Sequence, residues 1–174
     1  MLGRHADQGA ILLQKLHHVA YRCRDAGETA AFYTDVLGLR LAHTIVQDRV
    51  PSTQAYSPHA HIFFEMGDGS YIAFFELAAA PPAQKDPNTP DWVQHLALQM
   101  EDEATLLASQ QRLEAAGLRV VGPTDHGFCK SIYFFDPSGH RLELTTRTDR
   151  PEQHAQFAAD AQITLAAWQA RKHA

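Results

Sequence analysis

Two histidines and two glutamates recur in this chain in matched surroundings. His18 opens the run H-V-A-Y-R-C-R-D and His95 opens H-L-A-L-Q-M-E-D, with an Ala two places on and an Asp closing each. Glu76 and Glu143 are each followed by Leu, near the ends of the segments that the two histidines begin. Two neutral imidazoles with one or two carboxylates make a ligand set for a divalent metal, and a metal offsets the cost of burying the carboxylates. Taken alone, either histidine reads as a core residue. As a duplicated pair, each with a partner Glu, they read as ligands.

Strand parity supports that reading, because successive side chains of a strand point to opposite faces. Opposite His95 lie Leu96, Leu98 and Met100; opposite His18 lie Val19 and Tyr21; opposite Glu143 lie Leu142 and Leu144. The apolar face belongs under a helix, so each titratable residue looks into whatever the sheets enclose. Glu76 shares its face with Ile72 and Phe74, which suits a cavity wall. His17 has the parity opposite to His18, and the alignment with His95 selects His18.

Each half of the chain spells β-α-β-β-β. The first helix starts at Asp25, with Glu28 placed for a capping box, and its stripe of Thr29, Phe32, Tyr33, Val36 and Leu37 ends at Gly38. The second repeats that spacing through Leu106, Leu107, Gln110 and Leu113 before Gly117. Strands are expected at 39–46, 61–66 and 70–77, and again at 118–122, 131–135 and 140–146. The last two form a hairpin around Asp136-Pro137-Ser138-Gly139, a type I turn sequence. A loop is expected over Gln47 to Ala60, broken by Pro51 and Pro58, and a proline-bearing connector over Ala78 to Asp91. After Pro151, Phe157, Ala161, Leu165 and Trp168 recur at helical spacing. Internal duplication at this scale implies two units that complete one another's core.

The remaining composition excludes more than it assigns. The chain has 174 residues, 45% of them apolar, and a net charge of −5. No basic stripe with interleaved aromatics points to nucleic acid. No apolar run approaches the roughly 20 residues of a membrane span, and no signal-peptide pattern opens the chain. Cys23 and Cys129 are too few for a disulfide scaffold. These features lead us to expect a cytoplasmic protein acting on a small molecule.

Phe32-Tyr33 through Val36-Leu37-Gly38-Leu39 resembles the first-helix signature FY-x-x-VLGL of the vicinal oxygen chelate superfamily. This group includes glyoxalase I, extradiol dioxygenases, epimerases and antibiotic-resistance proteins. The resemblance implies an α+β fold in which paired βαβββ modules form an eight-stranded cup-like half-barrel around a metal site, with a C-terminal helix added. It divides the chain into an N-terminal extension (1–14), module one (15–77), a linker (78–92), module two (93–149) and a helical tail (150–174). It also implies a homodimer. Thr124-Asp125-His126, then Ile132-Tyr133, Asp136-Pro137-Ser138-Gly139 and Glu143, further resembles the extradiol dioxygenase signature.

That likeness implies His18, His95 and Glu143 as a facial triad for Fe(II), His126 as the acid–base group, and Tyr133 as a hydrogen-bond donor to a substrate oxygen. Tyr71, Phe74 or the 47–60 segment, with Tyr56, His59 and His61, would form an aromatic wall and lid. The alternative is a glyoxalase-like isomerase or lyase, with Glu76 as a fourth ligand and Ni, Zn, Co or Mn as the metal. A second alternative is a non-catalytic drug-binding protein.

Overall fold

The computed structural model describes residues 13–81 and 87–172. The N-terminal extension up to residue 12 and linker residues 82–86 therefore lie outside the described residues. Strand β1 (His18–Arg22) leads into α1 (Ala26–Ala31), which continues as a π-helical turn over Phe32–Val36. Then follow β2 (Arg40–Arg49), β3 (Tyr56–Glu65) and β4 (Tyr71–Leu77). The second half runs β5 (Leu96–Gln99), α2 (Glu103–Ala115), β6 (Val121–Asp125), β7 (Cys129–Phe135), β8 (Arg141–Arg147) and α3 (Pro151–Lys172). The chain divides into two compact units, 1–84 and 85–174.

Each unit holds one mixed four-stranded sheet, in the order β1-β4-β3-β2 in the first and β5-β8-β7-β6 in the second. In both, the first strand pairs in parallel with the last, and the remaining pairs are antiparallel. The duplicated α+β architecture expected from the sequence is therefore present.

Local chemistry explains the elements. Asp25 accepts the backbone N–H of Glu28 at 2.7 Å, and Asp102 accepts that of Thr105 at 2.8 Å, so each helix begins on an aspartate cap. Only half of the first capping box forms, because the Glu28 carboxylate pairs with Arg24. Gly38 and Gly117 follow the helices with φ of 78° and 83°, a conformation that side chains with a Cβ resist.

One face of each sheet lies under its helix. In unit one Tyr33 stacks on Phe64 at 5.0 Å and meets Phe74 at 4.8 Å, and all three are fully buried. In unit two Leu106 and Leu113 of α2 are buried, as are Ile132, Phe134, Leu142 and Leu144 from β7 and β8.

Three expectations need correction. The 47–60 segment is a hairpin, not a long loop: β2 runs on to Arg49, β3 starts at Tyr56, and the pairing shifts register between Gln47 and Arg49. Pro58 sits at this irregularity, which is where an interior strand tolerates a proline. Strand β6 begins three residues later than expected and contains Pro123, admitted because β6 is an edge strand with a register shift between Val121 and Thr124. Phe74 faces α1, so it is core and not a wall residue.

Helix α3 forms as the periodicity predicts. Phe157, Leu165 and Trp168 remain about half exposed, with Phe157 touching Phe128 at 6.0 Å between ring centres. Among the described residues, no helix is long and apolar enough to cross a membrane.

Truncating the core ring of unit one should be severe. Phe74→Ala should lose about 3–5 kcal/mol of unfolding free energy, measured by urea denaturation. A loss below about 1 kcal/mol would contradict the packing described.

Candidate metal centre and proton relay

In unit two, β5 and β8 pair in parallel with Ala97 opposite Glu143. His95, two residues before Ala97, therefore shares a sheet face with Glu143. Its Nε2 lies 3.0 Å from Glu143 Oε2. The other carboxylate oxygen accepts the Ser131 hydroxyl at 2.5 Å, and Ser131 in turn meets the Thr145 hydroxyl at 2.8 Å. Glu143 is only 6% exposed. A buried acid without a cation needs such partners, and the Ser131 hydroxyl and the His95 imidazole supply them.

Tyr133 lies directly opposite Glu143 across the β7–β8 pair. Its hydroxyl is 2.7 Å from His126 Nε2, and its ring meets His95 edge-on at 6.2 Å. The Arg141 guanidinium sits over the ring of this tyrosine, 4.1 Å from its centre. Burial lifts the Tyr133 hydroxyl above its ordinary pKa, and the Glu143 charge pushes the same way. Tyr133 thus stays a protonated donor at neutral pH. His126 is exposed and connects this hydroxyl to solvent.

Unit one places its candidates differently. His18 pairs with Tyr71 in the β1–β4 register and shares its face with Phe63 and His61, at ring separations of 5.9 and 6.4 Å. Its Nδ1 is 2.8 Å from His17 Nδ1, which leaves Nε2 for another partner. Glu76 lies on the opposite face, and its carboxylate accepts the Ala26 N–H at 2.6 Å at the start of α1. The structure does not bring Glu76 to His18.

The register explains why. Ala97 faces Glu143 in unit two, and the corresponding Ala20 faces Ala73 in unit one. The repeated Glu-Leu pairs are offset by three residues, and Ala73 holds the position equivalent to Glu143. Among the described residues, no three His, Cys, Asp or Glu side chains are gathered so as to hold a metal.

The sequence pattern assigned no role to Ser131 or His43, and it named His59 and His61 only as wall and lid candidates. Ser131 and Thr145 stand at period-two positions beside Tyr133 and Glu143, and that spacing was the available signal. His43, His59 and His61 join His18 around Phe63 and Phe75. Of these, His61 stacks on Phe75 with ring centres 3.6 Å apart, and its buried Nε2 has no hydrogen-bond partner among the described residues. Burial first, then the neighbouring imidazoles of His18, His59 and His43, pull its pKa down to about 4.

A sequence model of the Glyoxalase/Bleomycin resistance protein/Dioxygenase superfamily matches residues 15–144. The chain belongs to this superfamily. It is 32% identical over 144 residues to a 2-epi-5-epi-valiolone epimerase from Actinomyces sp., covering 74% of this chain and 77% of that protein. It is 30% identical over 122 residues to metapyrocatechase from Pseudomonas sp. strain CF600, covering 67% of this chain but only 34% of that enzyme. Among solved structures, the fosfomycin resistance protein FosX of Listeria monocytogenes, complexed with Mn(II) and sulfate, has the same fold. It aligns with a TM-score of 0.56 at 20% identity, over 83% of this chain and 99% of that one.

Glu76→Ala should cost about 1 kcal/mol through the lost contact at the α1 N-terminus. It should leave Mn(II) affinity within twofold of wild type, read by competition titration; a lost metal site would contradict the placement of Glu76.

The sign for His61 follows from its folded pKa of about 4 lying below the ordinary value of 6.5. It contributes stability fully above about pH 6.5, and that contribution is lost as pH falls through 4, because the unfolded chain takes up the proton first. The urea midpoint should therefore fall more steeply between pH 7 and 4 in wild type than in His61→Phe. Parallel curves would contradict this.

Proposed function

We propose that this superfamily member is a divalent-metal enzyme that takes its substrate by two adjacent oxygens, and that its reaction is Fe(II)-dependent extradiol-type cleavage of a catechol-like ring. The observation that carries the reading is the convergence of His95 and Glu143 beside the hydrogen-bonded Tyr133–His126 pair. An imidazole Nε2 and a buried carboxylate 3.0 Å apart fit the donor preferences of such an ion. The sequence repeat supplies His18 as the third ligand. Ala73 at the register position of Glu143 supports three protein ligands over the four of a glyoxalase-like set. A metal held there contributes Lewis-acid polarisation of the two substrate oxygens and, as iron, the capacity to use O₂.

The chain's own residues do the rest. Ser131 fixes the Glu143 carboxylate by donating to one oxygen, which leaves the other directed at His95. Tyr133 donates its hydroxyl to a substrate oxygen, with His126 Nε2–H donating to Tyr133 in turn. The proton that a substrate hydroxyl gives up passes through Tyr133 to a bare His126 Nε2, and this transfer leaves Nε2–H donating to Tyr133 and Tyr133 donating to the substrate oxygen. The 30% identity to metapyrocatechase supports this chemistry.

A second reading, metal-assisted epimerisation beside a carbonyl, has its own support. The epimerase relative matches over 77% of its length, and the same Tyr133–His126 pair would move the proton.

The test is oxygen consumption by anaerobically purified, Fe(II)-loaded protein given a panel of substituted catechols. Uptake with yellow ring-opened products is expected, and Tyr133→Phe and His126→Ala should each lower kcat about 10²- to 10⁴-fold without loss of bound iron. No uptake across the panel, with solvent deuterium entering a cyclic hydroxyketone instead, would establish the second reading.

A further inference from the structure

We propose that Arg141 is the specificity residue of this site, and that it takes an anionic substituent, a carboxylate or phosphate, on the substrate. This inference rests on the functional reading above and adds the charge of the molecule bound.

Arg141 lies two residues before Glu143 on β8, so period two directs it to the sheet face that carries Glu143, Tyr133 and His95. It is half-buried. Its guanidinium stacks over the Tyr133 ring at 4.1 Å, yet none of its N–H groups has a hydrogen-bond acceptor and no carboxylate pairs with it among the described residues. The nearest acid along the strand, Glu143, gives its oxygens to Ser131 and His95.

Five other arginines make a contrast. Arg24, Arg40 and Arg147 pair with Glu28, Glu65 and Asp149, while Arg22 and Arg49 donate to backbone carbonyls. A partly desolvated guanidinium without an anion is costly, and a ring face compensates only part of that. Its planar fork of donors matches a carboxylate or phosphate in two-point geometry. Stacking on Tyr133 holds that fork beside the very side chain that contacts the substrate.

Equilibrium binding to the full chain loaded with Zn(II) provides a readout without turnover. Calorimetry would compare catechol with 2,3- and 3,4-dihydroxybenzoate, and a neutral cyclic hydroxyketone with its phosphate ester. In at least one pair wild type should bind the anionic member about tenfold or more tightly, and the favoured pair identifies which anion is used. Arg141→Met should abolish that preference while leaving the Kd of the neutral member unchanged, and Arg141→Lys should retain part of it. Near-UV circular dichroism verifies that Arg141→Met keeps its fold.

Equal binding of neutral and anionic members by wild type would overturn the inference and leave the functional reading standing. So would a preference that survives Arg141→Met. A uniform loss for both members would also overturn it, since that is what a residue merely propping up Tyr133 produces. Failure of every member to bind the loaded protein would count against the functional reading itself, and against this inference with it.

Discussion

Glu143 imposes the central constraint on this molecule. A carboxylate that is almost fully removed from water must be compensated, and the sheet of unit two is arranged to do so. Parallel pairing of β5 with β8 brings the His95 imidazole to one oxygen, and antiparallel pairing of β7 with β8 brings the Ser131 hydroxyl to the other. Shifting either strand by one residue would send these groups to the helix side and leave the acid alone. The buried apolar residues under α2 hold that register, so the packing of Leu106, Leu113, Ile132 and Leu144 is what keeps the polar face in place.

The two units share one topology but have diverged chemically. At the position where unit two carries Glu143, unit one carries Ala73, and its His18 face is lined by imidazoles and aromatic rings instead of a carboxylate network. Glu76 has taken a structural task, receiving the first N–H of α1 beside the Asp25 cap. Under the functional reading, the acid–base and charged groups are those of unit two.

Much of this was readable from the chain because the signals were local. The aspartate caps, the glycines after the helices and the Asp136 turn each act over three or four residues, and the structure forms all of them. The apolar residues opposite His18, His95 and Glu143 gave the correct faces for the same reason. What could not be read was register between distant strands. A Glu-Leu pair near the end of each half looks equivalent in sequence, yet only the pairing of Ala20 with Ala73 reveals the three-residue offset. Proline misled at Pro58, because a strand irregularity admits it there and is not visible before the sheet is assembled. Ser131 went unnoticed because its importance depends on a partner twelve residues away in the next strand.

The most direct test of the account is the structure of the metal-loaded protein, solved with Mn(II) or Fe(II) under argon. The account predicts one ion bound by the imidazoles of His18 and His95 and the carboxylate of Glu143, with the remaining coordination positions free of protein atoms and Glu76 still on the α1 N-terminus. An ion ligated by Glu76, or a protein that leaves His95 and Glu143 without metal at saturating concentrations, would contradict it.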